Sequence, residues 1–392
     1  MEIDYSSERL RKLIEFNRTE PEILRRLIEH ASKRSRELEN VIKKQKELGE
    51  RILDAIGDKL IVAIDKEGNP YVEVLGVDGS NQVVGGRSGK YYIMLSAVIV
   101  YLPQGTATVN PVIRYPNITL ISFTDPSGEI IEDVAEDVMM LLETRAIMES
   151  VKLKRTKDTI PLFIDGPIMD PPRNIREESL TAFRQLAGIE LGDVSEYYRI
   201  RANTMLEAYR EGIVPLGYVK RPGTDRLLLN HVGREVRETL KVFSGDEELV
   251  RTLLAIKILV NGCNKKIYYT TPMEYPLDHS LYKLYRRHSL RIYYSYSTIN
   301  PYSRPFRIEV AVDKNTSKDR VEELVEWAVK LSHTLTLPGQ RYPLPVVIAH
   351  EKCRIRRGAA ELIYEEIIAR AIKPSQDKIL DTLKTTLISE EE

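Results

Sequence analysis

The sequence predicts an α/β fold: a mixed sheet flanked by helices, with a helical arm at the N-terminus. Three observations predict it. Strand-like segments cluster between residues 59 and 123, and after that they alternate with helical ones. The chain has 392 residues with 42% hydrophobic content, enough to bury a core and exclude wholesale disorder. Residues 6–57 instead repeat apolar positions at helical spacing between charges, as in Leu10, Leu13, Ile14 and Ile23, Leu24, Leu27, Ile28.

Within that arm Pro21 breaks the pattern and suits the first turn of a second helix. From Lys59 the texture turns to strand. We read consecutive antiparallel strands at 71–78, 81–86 and 90–102, with further strand over 107–123. Residues 130–155 form a helix with an apolar face of Val134, Val138, Leu141, Leu142, Ala146 and Val151. A buried strand follows at 160–164 and stops at Asp165-Gly166-Pro167. Helical pattern covers 176–211, strand 213–219, helix 246–260, and strands 266–271, 290–297 and 307–312. The chain closes with a helix over 318–332, a short strand at 346–349 and a helix at 357–372. A three-stranded meander leading through a helix into a fourth strand is the opening of a ribonuclease H-like fold. One composite domain over 58–392, preceded by the arm at 1–57, is the economical division.

Composition narrows the function. Lys+Arg and Asp+Glu both number 58, which excludes a globally basic nucleic-acid binder but not a local basic patch. Two cysteines, Cys263 and Cys353, cannot build a disulfide framework or a cysteine-rich zinc site. No apolar run spans a bilayer and MEIDYSSERLRKL lacks a signal-peptide core, so a soluble cytoplasmic protein is expected. No Walker A, HExxH, GxSxG or CxxC pattern occurs. VVGGRSGK lies between strands, with no helix after it to cradle phosphate.

The residues that remain are acids at strand ends. Asp78 in LGVDGSN and Asp165 in PLFIDGPI each follow an apolar run and precede glycine. Most Asp-Gly pairs are turns. Two of them ending adjacent central strands would bring two carboxylates to one edge. Glu143, in VMMLLETRAIMES, borders the buried face of its helix, where a glutamate is costly unless paired or bound to a cation; Glu149 is the competing acid. Oxygen donors without cysteine suit Mg²⁺ or Mn²⁺. Two such ions about 4 Å apart serve phosphodiester cleavage. His350 follows the expected short strand and could ligate Mn²⁺ or carry a proton. Lys220 and Arg221 end a strand, and Lys352, Arg354, Arg356 and Arg357 form a basic run. Solvated surface is the plainer reading of both, phosphate binding the functional one.

Strand-Asp78-Gly-Ser, Leu-Glu143 in a mid-chain helix, Asp165-Gly-Pro and the Tyr342-Pro…Ala-His350 ending, in that order, resemble the archaeal NurA nucleases from about Val74 onward. The resemblance implies a Piwi-related ribonuclease H-like core and a Mn²⁺-dependent DNA nuclease. It implies 5′ to 3′ exonuclease activity on single- and double-stranded DNA, with endonuclease activity on single strands. It also implies a homodimer working with a HerA-type hexameric ATPase, beside the Mre11–Rad50 system, in resecting double-strand breaks for recombinational repair. On the same ground Asp78, Glu143, Asp165, Tyr342 and His350 form the catalytic set. Of these Asp78, Glu143, Asp165 and His350 hold metal. From their own position and charge, Lys220, Arg221, Lys352 and Arg354 are expected to position the DNA backbone. The alternatives are an RNA- or structure-directed nuclease on this fold, or a catalytically idle DNA-end adaptor for the ATPase.

Overall fold

The computed structural model describes residues 19–86, 89–169, 173–186, 191–223, 225–261 and 266–371. The expected helix over 6–18 and Cys263 lie outside them. Helix α1 (Pro21–Leu60) starts with proline in its first turn, as its fixed φ favours. Up to Ile42 it leaves Ile23, Leu27, Leu38 and Ile42 exposed, whereas Leu48 and Ile52 are buried in the core. Gly49 makes that docking close, because a Cβ there would stand 2.8 Å from Thr252 of helix α7 (Asp246–Asn261).

Strand β1 (Ile61–Asp65) follows, then β2 (Val74–Gly85), β3 (Lys90–Leu102) and β4 (Val112–Thr124). The segments read as strands 71–78 and 81–86 are one strand. Asp78, Gly79, Ser80 and Asn81 pair without interruption with Val98, Ala97, Ser96 and Leu95. The buried β3 partner overrides the local turn signal of Asp-Gly-Ser-Asn. The meander is therefore β2, β3 and β4. Helix α2 (Ile131–Ser150) leads to β5 (Ile160–Ile164), and α3 (Ser179–Phe183) and α4 (Val194–Arg210) lead to β6 (Ile213–Val219). Helices α5 (Leu227–Glu235), α6 (Thr239–Val242) and α7 then precede β7 (Lys266–Thr270) and β8 (Met273–Glu274). Helix α8 (Ser280–Arg286), β9 (Leu290–Ser297), β10 (Phe306–Asp313), α9 (Lys318–Thr334), α10 (Leu344–Cys353) and α11 (Arg357–Ala371) complete the order.

The strands form one sheet in the order β1-β7-β9-β10-β6-β5-β2-β3-β4, with β8 on β9. Strand β5 runs parallel to both β2 and β6, while β2, β3 and β4 are antiparallel. The part β6-β5-β2-β3-β4 is the ribonuclease H-like arrangement. One core cluster fills the face covered by α2, α4 and α7, and a second fills the face covered by α9 and α10.

Residues 344–353, part of which was expected to be a strand, are helical. An apolar run such as Val346 to Ala349 carries no periodicity that separates the two states. Pro343 and Pro345 at its start favour a helical first turn. Helix α10 lies directly on β2, where a Cβ on Gly76 would meet the Pro345 carbonyl oxygen at 2.7 Å. The Ser96 hydroxyl donates to the Cys353 carbonyl at 2.5 Å, and Ile355 N–H donates to Ser80 Oγ at 3.1 Å, pinning the far end. Among the described residues no helix is long and apolar enough to cross a membrane. Gly76→Ala is expected to push α10 off the sheet and cost about 1–3 kcal/mol, read as a lower thermal midpoint. An unchanged midpoint would show that the contact between α10 and β2 is slack.

Candidate metal centre

The parallel pairing of β2 and β5 builds the centre. Val77 is in register with Ile164, so Asp78 and Asp165 are the next residues along two strands about 4.8 Å apart. Asp165 N–H still donates to the Val77 carbonyl at 3.1 Å. Asp78 therefore sits inside β2 rather than at its end, and only Asp165 is strand-terminal. Alternation turns Asp78 toward the α10 face, along with Val74 and Gly76.

From that face α10 supplies His350, whose Nδ1 lies 3.2 Å from Asp78 Oδ2 and 3.2 Å from Asp165 Oδ2. Ligand atoms of the three residues all lie within 4.8 Å of one another. The carboxylates are buried, with side chains 7% and 9% exposed, while His350 is 51% exposed and forms the outer wall. Lys220, at the end of β6, donates to Asp165 Oδ2 at 2.5 Å. Its ammonium lies 5.2 Å from the centroid of the Tyr342 ring, which packs edge-on against Tyr218. Tyr342 thus meets the centre through Lys220.

Charge is arranged asymmetrically. Burial raises the pKa of Asp78; the hydrogen bond from His350 opposes the rise and the charge of Asp165 adds to it. Burial pushes Asp165 the same way, but the hydrogen bonds from His350 and Lys220 outweigh it and hold the carboxyl below its ordinary range. Between the two, His350 is raised from 6.5 to about 9, first by its hydrogen bond to Asp165 and then by that to Asp78. Cys353, one turn beyond His350, donates its thiol to Asp78 Oδ2 at 3.2 Å, and burial with the Asp78 charge holds that thiol protonated.

Glu143 is buried on α2, on the opposite face of the sheet. It lies against Gly79, where a Cβ would come within 2.9 Å of its Cγ, and it stands outside the group of three donors. Glu149 points away and pairs with Lys152 at 2.7 Å, which leaves Glu143 as the inward acid of that helix. Arg221, Lys352 and Arg354 are exposed near the centre's rim in sequence, and none lies in the donor cluster.

The turn after Asp165 has its own clamp, which the sequence did not disclose. Gly217 of β6 leaves room for it, since a Cβ there would stand 2.9 Å from Ile168 N. Ile168 N–H donates to Glu309 Oε2 at 2.7 Å. The other oxygen of Glu309 accepts from Tyr275 OH at 2.5 Å and Arg307 Nε at 2.8 Å, and Arg307 also binds Asp225. One buried pair on β10 thereby ties the Asp165 turn to the loop that follows Lys220.

The NurA domain family model matches residues 72–355. The chain belongs to the NurA family. It shares its fold with the NurA nuclease from Sulfolobus solfataricus, at a TM-score of 0.57 and 12% identity over 91% of this chain and 99% of that one. A second solved NurA, bound to dAMP and manganese, aligns at a TM-score of 0.46 and 13% identity over 88% of this chain and 98% of its own. No match is found among curated proteins. The family's span covers Asp78, Glu143, Asp165, Tyr342 and His350 and leaves α1 and α11 outside it.

The donor chemistry suits a hard or borderline divalent cation, with carboxylate oxygens and one imidazole nitrogen converging on one spot. In the cation-free protein the His350 contact contributes stability in full below pH 6.5, and loses it as the pH rises through about 9. The groups facing it are Asp78, Asp165, Lys220 and the Cys353 thiol. The difference in thermal midpoint between wild type and His350→Asn in EDTA should therefore shrink across that window. A constant difference would show that the imidazolium contact is not what the substitution removes. Glu309→Ala strips the buried Arg307 of one partner and is expected to cost about 3–5 kcal/mol in chemical denaturation. A loss under 1 kcal/mol would mean that the clamp carries no strain-bearing role.

Proposed function

We propose that this NurA protein is a metal-dependent DNA nuclease whose cation is held by Asp78, Asp165 and His350. The observation that supports this most directly is the meeting of two buried carboxylates and an imidazole at one edge of the parallel strands β2 and β5. Mn²⁺ or Mg²⁺ bound there would neutralise phosphodiester charge and lower the pKa of water. Whether one ion or two are held depends on Glu143, which approaches from the opposite face and would complete a second position.

The chain's own groups divide the remaining work. Burial makes the charge on Asp78 more costly than on a free carboxyl, and a cation held there would offset that cost. Lys220 holds Asp165 in place, and the Tyr342 ring holds Lys220. Arg221 follows Lys220, Lys352 lies in the last turn of α10 and Arg354 just after it; all three are exposed cations, suited to phosphate contacts that position a strand without reading bases. His350, half-exposed, marks the side from which substrate enters.

The finer parts of the reading rest on the family. These are 5′ to 3′ polarity on single- and double-stranded DNA, single-strand endonuclease activity, and action with a HerA-type hexameric ATPase in end resection. A homodimer is assigned to the exposed apolar residues of α1, namely Ile23, Leu27, Leu38 and Ile42.

The test is cleavage of 5′- and 3′-labelled linear DNA with Mn²⁺, Mg²⁺ or EDTA. Wild type should release label from the 5′ end with Mn²⁺ and fall silent in EDTA. Asp78→Ala and Asp165→Ala should each lose on the order of 10³-fold or more in rate. An inert wild type, with and without its ATPase, would turn the reading toward a DNA-end adaptor. Selective cleavage of RNA would replace the substrate class.

A further inference from the structure

A second depression begins where the Asp165 turn ends. Pro167 and Met169 form one wall of a cavity of 280 Å³ whose other walls include Arg226, Leu227, Asn230 and Tyr275. A larger cavity of 710 Å³ shares Leu227, Asn230 and His279 with it and continues past His231 and Arg234. Together they make one cleft that leads away from the centre along α5.

Helix α5 gives this cleft its character. Arg226 at the N-cap, Asn230 and Arg234 follow one another at four-residue spacing and all line the cleft, with the two arginine Cα atoms about 12 Å apart along the axis. Both arginines are exposed, and among the described residues neither has a carboxylate partner. The acids nearby are mostly engaged. Asp225 is bound by Arg307, and Glu274 by Arg291 at 2.6 Å. Asp278 is the remaining lining carboxylate. The rest of the wall mixes apolar side chains, Met169 and Leu227 nearest the centre and Met273 and Leu277 farther out, with the rings of Tyr275, Tyr294, His231 and His279.

Free cations beside apolar and aromatic side chains are what an unpaired nucleic-acid strand requires: charge for its backbone and contact for its bases. Cavities of this size hold ligands of nucleotide dimensions. We propose that the α5 cleft binds the single strand flanking the scissile bond, with Arg226 and Arg234 on its phosphates. This rests on the nuclease reading of the Asp165 centre.

The experiment measures binding of fluorescein-labelled oligothymidylate in EDTA across a salt series, so cleavage plays no part. Arg226→Ala/Arg234→Ala should weaken binding about tenfold or more and flatten the slope of log affinity against log salt by about 1.4, for two phosphate contacts. Arg226→Lys/Arg234→Lys should restore most of the slope. Arg370→Ala on α11 should match wild type, and equal thermal midpoints should show that the variants fold. Unchanged affinity and slope in the alanine variant would overturn the proposal. An equal loss on a blunt duplex would also overturn it, since the arginines would then act as general surface charge. Wild type that cuts DNA while the slope stays put would sink the cleft alone. Arginine-dependent binding in a protein that cuts nothing would keep the cleft and sink the nuclease reading.

Discussion

Two carboxylates on neighbouring parallel strands repel each other, and burying both raises the cost of that repulsion. Strands β2 and β5 nonetheless place Asp78 and Asp165 side by side beneath α10. The arrangement holds because positive charge meets it from two directions, His350 from the helix and Lys220 from β6. Much of the surrounding structure follows from that constraint. Helix α10 must lie close to deliver His350, so Gly76 is bare where Pro345 crosses it. The turn after Asp165 must fold back over β6, so Gly217 is bare where Ile168 crosses it.

The sequence disclosed the acids better than their setting. Asp78 and Asp165 stood out because each follows an apolar strand and precedes glycine, a local pattern that needs no tertiary knowledge. The chain order also carried the β2 to β6 arrangement, since alternating strands and helices leave few topologies open. What failed was the state of short segments. Val346 to Ala349 reads equally well as strand or helix, and only packing on β2 decides it. Asp-Gly-Ser-Asn reads as a turn, and only pairing with β3 keeps it extended. Residues whose role is purely spatial left no trace at all. Arg307 and Glu309 look like two charges alternating along a strand, which is the mark of a solvent-facing edge. They are buried because β10 is interior to the sheet, and partners come from loops 82 and 141 positions away. Cys353 gave only a thiol near a basic run, although it lies one helical turn beyond His350, a spacing that could have flagged it.

The buried Arg307–Glu309 pair also bears on how the centre keeps its shape. A buried ion pair rarely adds stability over apolar residues of similar volume. Its worth lies in direction: it fixes where Ile168 N–H and Asp225 must be. An apolar pair on β10 would fill the same space without specifying either loop. The structure therefore places an expensive interaction where position matters, behind the turn that carries Asp165.

The same logic explains Lys220 and Tyr342. An ammonium on a flexible stem could as easily reach solvent as Asp165. Stacked over the Tyr342 ring, itself wedged against Tyr218, it has one attractive surface besides the carboxylate and little room to leave. With Lys220 held, the Asp165 carboxyl lies below its ordinary range, while burial moves that of Asp78 the other way. A cation bound there would offset the burial cost of charging Asp78, so its binding and the Asp78 charge would reinforce each other.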